Sequence, residues 1–216
     1  EILKFRGAQH QKGEFPFTIL SGQGIAAIPL SSIELTQRSS EQRITSGVDE
    51  GDLMRGGGWF RDSIVLISGA TGTGKTLTAT HFIGAARHTG EPSLLFAFEE
   101  SRDQLFRNAR GWGFDFEDLE RRGQLRVVCD YPEVASLEDH LIRIRDHIED
   151  FRPSRVAVDS LSALERVSTI KSFREFVIAI TSFVKEKEIT GLFTSTTPAL
   201  LGGTVGHLIW VLPSPG

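Results

Sequence analysis

Residues 69–76 read Gly-Ala-Thr-Gly-Thr-Gly-Lys-Thr and fit G-x-x-x-x-G-K-[ST] in full. Average composition produces this pattern by accident in about 1% of chains of this length. The chemistry it predicts is phosphate binding. Glycines at Gly69, Gly72 and Gly74 let the backbone curl tightly, so that successive N–H groups, those of Thr71 and Thr73 included, converge on anionic oxygens at a helix N-terminus. Lys75 is expected to reach the β- and γ-phosphates of ATP, and the Thr76 hydroxyl to ligate Mg2+. The competing reading is a merely glycine-rich turn. An apolar strand ending at Ser68 and a helix opening at Lys75, with Leu77, Phe82 and Ile83 on one face, is the context that separates the two.

Acids follow at two further points. Arg155-Val-Ala-Val-Asp159 closes an apolar run with an aspartate, where a carboxylate that holds Mg2+ through water is expected; the alternative is an N-cap for the next helix. Glu99 and Glu100 come directly after Leu94–Phe98. A carboxylate at that strand's mouth lies beside the γ-phosphate and can polarise an attacking water or hydroxyl. Alternatively, the pair only favours the N-terminus of a helix from Ser101 through its dipole. Glu99 is the better candidate for metal contact, and either can act as base. Trp112 is read as an adenine-stacking ring or as core packing. His140 and His147 share a helix face without a metal-ligand pattern and are read as solvated or satisfied; Cys129 is read as inert core.

The elements that must position these groups are legible as strands and helices in alternation from Ser63 onward. Ile64–Ile67, Leu94–Phe98, Leu125–Val128, Val156–Val158 and Gly191–Thr194 are short, apolar and rich in β-formers, as in a parallel sheet covered on both faces. Leu137, Leu141, Ile144 and Ile148 step at helical spacing behind a Ser136 cap, and Phe173, Phe176, Val177, Ile180, Phe183 and Val184 draw a second stripe. The fold class expected is α/β, with a mostly parallel twisted sheet flanked by helices. Ahead of it, Ile2–Phe5 and Phe15–Ile19 read as two short strands around a polar turn, Gly24–Pro29 as a further apolar stretch, and Gln37–Thr45 as linker.

The whole chain has 216 residues, 39% hydrophobic and 24% charged, which fits a soluble α/β domain with an appendage. Its 24 Lys+Arg against 28 Asp+Glu leave a net charge of −4, which argues against holding nucleic acid by charge alone. A single cysteine excludes an internal disulfide framework. No apolar run approaches the roughly 18 residues of a membrane span, and the first residues lack signal-peptide anatomy, so no membrane is expected and a cytoplasmic setting is.

The phosphate loop, Leu95-Phe-Ala-Phe-Glu-Glu-Ser-Arg102, Gly111-Trp-Gly-Phe-Asp-Phe116, Leu137-Glu-Asp-His-Leu141, Val158-Asp-Ser-Leu-Ser-Ala163 and Ile189-Thr-Gly-Leu-Phe-Thr194 together resemble the KaiC family of circadian-clock ATPases and autokinases. The resemblance implies a RecA-like P-loop fold, with 59–203 as the second of two tandem domains, 1–30 as the tail of the first and 31–58 as linker and entry loop. It implies Mg·ATP held between subunits of a homohexameric ring. Residues 71–76 would hold phosphates, Trp112 would stack on adenine, and Thr76, Glu99 and Asp159 would sit at the metal. Glu99 would be the general base with Glu100 beside it, Arg166 would lie near the site, and Lys4, Arg6 and His10 would touch a neighbouring nucleotide in the first domain. KaiA and KaiB are the implied partners, and autophosphorylation of an adjacent Ser-Thr pair, later reversed, the implied activity.

The chain departs from the family after Gly203. Residues 204–216 form an atypical segment without an adjacent Ser-Thr pair, as expected of a truncated chain or one lacking a loop. Two other functions are set against a timing ATPase. A RecA-type DNA recombinase motor would need basic, mobile loops. A nucleotide-gated assembly scaffold without turnover would not need the carboxylate pair.

Overall fold

Short apolar runs bounded by turns set the frame, and the structure, a computed structural model, describes residues 17–20, 24–27, 40–197 and 208–212. β1 (Phe17–Leu20) and β2 (Gly24–Ala27) form an antiparallel hairpin. Sequence spacing paired Phe15–Ile19 with Ile2–Phe5 instead; the observed partner is the apolar stretch that follows, and Ile2–Phe5 lies outside the described residues.

Next come β3 (Arg43–Ile44), α1 (Asp49–Met54) and β4 (Trp59–Phe60), with β3 and β4 antiparallel. This stretch, read from sequence as linker and entry loop, is held by specific bonds. Asp52 accepts from Ser46 N at 2.9 Å and from the Thr45 hydroxyl, and Ile44 and Trp59 are buried. A polar composition concealed one buried isoleucine and one aspartate that ties the turn between β3 and α1.

The central sheet contains β5 (Ile64–Gly69), β6 (Ser93–Ala97), β7 (Leu125–Cys129), β8 (Arg155–Asp159), β9 (Thr190–Thr196) and β10 (Leu208–Leu212), in the spatial order β10-β5-β9-β8-β6-β7. The five predicted strands are mutually parallel, and β10, which falls within the 204–216 segment read as atypical, pairs antiparallel with β5. The helices between them are α2 (Lys75–Gly84), α3 (Arg102–Gly111), α4 (Phe116–Arg121), α5 (Leu137–Phe151), α6 (Leu161–Arg166) and α7 (Ile170–Glu186).

Side-chain alternation divides the core between the two faces. Leu94, Phe96, Val156 and Val158 pack with Leu141, Ile144, Ile148, Phe176 and Ile180 of α5 and α7. Leu95, Ala97 and Ala157 pack with Phe82 and Ile83 of α2 and with Leu105 and Phe106 of α3. Both predicted helical stripes therefore lie in or against the core. His140 is 1% exposed; its Nε2 lies 3.0 Å from the Pro132 carbonyl and its ring meets Phe98 edge-on. His147 meets the Phe96 ring at 5.9 Å, so both histidines are occupied by packing. Cys129 is half-buried at the end of β7, and burial pushes its thiol up, which keeps it protonated.

One buried charge was not foreseen. Arg155 is 0% exposed at the start of β8, and its Nη1 donates to the carbonyls of Thr45 at 2.8 Å and Phe82 at 3.0 Å. Burial, outweighing the nearby Glu91, brings it down to about 10. It fastens the entry segment to the end of α2. Among the described residues no helix is long and apolar enough to cross a membrane.

Candidate nucleotide site

The C-terminal ends of β5, β6, β8 and β9 form the mouth where the predicted residues meet. β5 runs into the loop, and α2 opens at Lys75 with Gly74 as its N-cap. Gly72 and Gly74 hold φ of +83° and +87°, and a Cβ at either would meet nothing within 4 Å, so the left-handed backbone, not space, calls for glycine there. Lys75 Nζ turns into the curl and donates to the carbonyls of Gly69 at 3.0 Å and Ala70 at 2.8 Å. The Thr73 hydroxyl donates to Ala70 O at 2.8 Å and tightens the same turn.

Asp159 ends β8 and is 8% exposed. Burial, the foremost cause, pushes its carboxyl above the usual range, while the hydrogen bond from Thr194, the nearby Thr76 hydroxyl and the charge of Lys75 pull the other way. Thr76 at the start of α2 and Asp159 at the end of β8 thus lie near one another, with Glu99 close enough to be felt.

The Phe98 amide donates to Asp159 O at 2.8 Å, which carries Glu99 and Glu100 to the same mouth. The two glutamates then diverge. Glu99 is exposed and pairs with Arg166 Nη1 at 3.0 Å. Glu100 is half-buried and accepts from Asn108 Nδ2 at 3.3 Å. Burial first, then the negative charges of Asp159 and Glu99, push the Glu100 carboxyl up.

The structure therefore brings together residues 69–76, Glu99, Glu100, Asp159 and Arg166. Trp112 stands apart: it caps the C-terminal end of α3, 36% exposed, about 15 Å along the axis from the helix start beside Glu100. Lys4, Arg6 and His10 lie outside the described residues. Three groups at the mouth escaped sequence reasoning. The buried Thr194 donates its hydroxyl to Asp159, Asn108 holds Glu100, and Ser162 Oγ accepts from Thr196 N at 2.7 Å and lies 3.2 Å from Ser195 Oγ. Thr194 and Asn108 were visible only as a strand residue and a helix residue, because no motif spacing marks a hydrogen bond between distant elements.

The donor set suits a hard cation: one hydroxyl and one or two carboxylates, with phosphates to complete it. Among the described residues no group of three or more His, Cys, Asp or Glu forms a self-sufficient metal cage.

A family model described as "ATPase: KaiC" matches residues 44–209. The chain belongs to the KaiC family. It is 66% identical over 203 residues to circadian clock protein KaiC3 of Synechocystis sp. PCC 6803, covering 94% of this chain and 40% of that protein. It is 58% identical over 202 residues to the circadian clock oscillator protein KaiC of Thermostichus vulcanus, and 55% identical to that of Synechococcus elongatus. The chain thus spans about two fifths of the length of these KaiC relatives. The RecA-like α/β fold expected from the resemblance agrees with the parallel sheet observed.

Proposed function

We propose that this chain binds Mg·ATP in the 69–76 loop and transfers the γ-phosphoryl group, to water or to a Ser/Thr hydroxyl, as an ATPase and autokinase of a circadian-type timing system. The observation that carries the reading is the convergence at one mouth of the 69–76 curl, closed by Lys75 Nζ on the Gly69 and Ala70 carbonyls, with Asp159 at the end of β8, beside which the Phe98 amide bond carries Glu99 and Glu100. Lys75 moves from the loop carbonyls onto β,γ-phosphate oxygens. Mg2+ bound by Thr76, Asp159 and Glu99 would neutralise charge on the phosphoryl oxygens. Glu99 takes the proton of the attacking water or hydroxyl, and Glu100, set deeper beside Asp159, orients that nucleophile. Arg166 holds Glu99 at the mouth, and Trp112 stacks on the adenine.

Family kinship supports a homohexameric ring with nucleotide between subunits, KaiA and KaiB as partners and a cytoplasmic setting. Lys4, Arg6 and His10 serve the nucleotide site of a preceding domain. Residues 204–216 contain no adjacent Ser-Thr pair.

The test is γ-labelled ATP with the parent chain and a Glu99→Gln/Glu100→Gln double variant. Release and transfer of label are expected to fall by about 100-fold or more in the double variant. Mapping of labelled protein separates transfer to a hydroxyl from hydrolysis. Unchanged release would instead favour a scaffold that binds ATP without turning it over.

A further inference from the structure

We infer that Asn108 is a positioning residue for phosphoryl transfer: its carboxamide fixes the direction of the Glu100 carboxylate. This rests on the reading of Glu100 given above. Glu100 directly precedes Ser101, the N-cap of α3, whose first turn is locked by a capping box in which Ser101 Oγ accepts from Gln104 N and Gln104 Oε1 accepts from Ser101 N. The residues preceding that turn cannot swivel without breaking two bonds.

Asn108 lies seven residues beyond Ser101, on the same helix face and about 10 Å along the axis. The Glu100 side chain runs beside the first turns of α3 to meet it, and Asn108 Nδ2 donates to Oε2 at 3.3 Å. Among the described residues this is the one hydrogen bond recorded for the Glu100 carboxylate. A carboxylate on three free torsions and with no such anchor would sample several directions at the mouth.

The neighbouring glutamate shows what the amide contributes. Glu99 is held across the mouth by the Arg166 guanidinium, a cation that neutralises as it orients. Asn108 orients Glu100 without bringing a positive charge to it. The adjacent acids are thereby turned to different partners on different helices. Sequence adjacency alone would leave them interchangeable.

The experiment compares ATP turnover by the full chain carrying Asn108→Ala, Asn108→Asp, Glu100→Gln, and Asn108→Ala with Glu100→Gln. Asn108→Ala is expected to lower kcat about tenfold while KM for ATP moves less than about twofold. Asn108→Asp keeps the side-chain size, removes the donor and adds a like charge, so it should lower kcat at least as far. Asn108→Ala should cost less than about twofold once Glu100 is already Gln. Unchanged kcat in Asn108→Ala, or an equal loss in the Glu100→Gln background, overturns the positioning claim while the role of Glu100 stands. Parent turnover in Glu100→Gln alone overturns the role of Glu100, and the positioning claim with it.

Discussion

Asp159 owes its place to a residue that carries no motif. Thr194, fully buried on β9, donates to a carboxylate that burial would otherwise leave short of partners. Thr194→Val keeps the shape and removes the donor. It should lower the unfolding free energy by about 1–3 kcal/mol, seen as a lower urea midpoint at unchanged slope. An unchanged midpoint would mean that the hydroxyl does not satisfy Asp159. On the far face of β6, burial foremost, then the positive charge of Arg126, hold His147 below its usual value of 6.5. As pH falls through that value the unfolded chain takes up a proton that the folded chain refuses. Stability is therefore full above that range and declines below it. His147→Gln should flatten the loss between about pH 7.5 and about pH 5.5, measured by denaturant unfolding at each pH. Equal slopes for parent and variant would contradict the assignment.

At the scale of elements, α2 must lie close to the segment that follows α3 for the phosphate loop to face the mouth. Gly84, near the end of α2, makes that approach possible: a Cβ there would meet Phe114 Cδ1 at 2.2 Å. The Phe114 ring is itself wedged against His81 at 4.9 Å and under Arg87. Gly84→Ala should destabilise the chain by about 1–3 kcal/mol through overpacking, read as a lower melting temperature. A variant as stable as the parent would show that Phe114 has room to yield. These elements differ in how plainly the sequence announces them. β6 and β8 are covered on both faces, so their unbroken apolar runs identify them, and Ser136 marks the start of α5 by accepting from Asp139 N at 3.2 Å. β3 has only two residues, too few for any period, and Arg155 reads as a polar strand end although it is among the most buried side chains. The phosphate loop and Asp159 were legible because their chemistry is written in contiguous residues. Asn108, Thr194 and Ser162 were not, because each acts on a partner that only the fold brings near.

Across the described molecule, the C-terminal end of the sheet gathers a cation and a hydroxyl from α2 and three carboxylates from the ends of β6 and β8, while the opposite end of the strands is tied by Arg155. The two ends do different work: the mouth carries chemistry, and the base secures the entry segment to α2. The chain covers 40% or less of the KaiC relatives named above, so a ring of subunits and its clock partners rest on kinship, whereas the loop and its acids rest on this chain's own residues. The loop is therefore where the account stands or falls. Calorimetric titration with ATP in the presence of Mg2+, for the parent and for Lys75→Ala, measures it directly. The parent is predicted to bind saturably, one nucleotide per chain, and Lys75→Ala to bind about 100-fold more weakly or not at all. Equal affinity in the two proteins, or none in the parent, would contradict it.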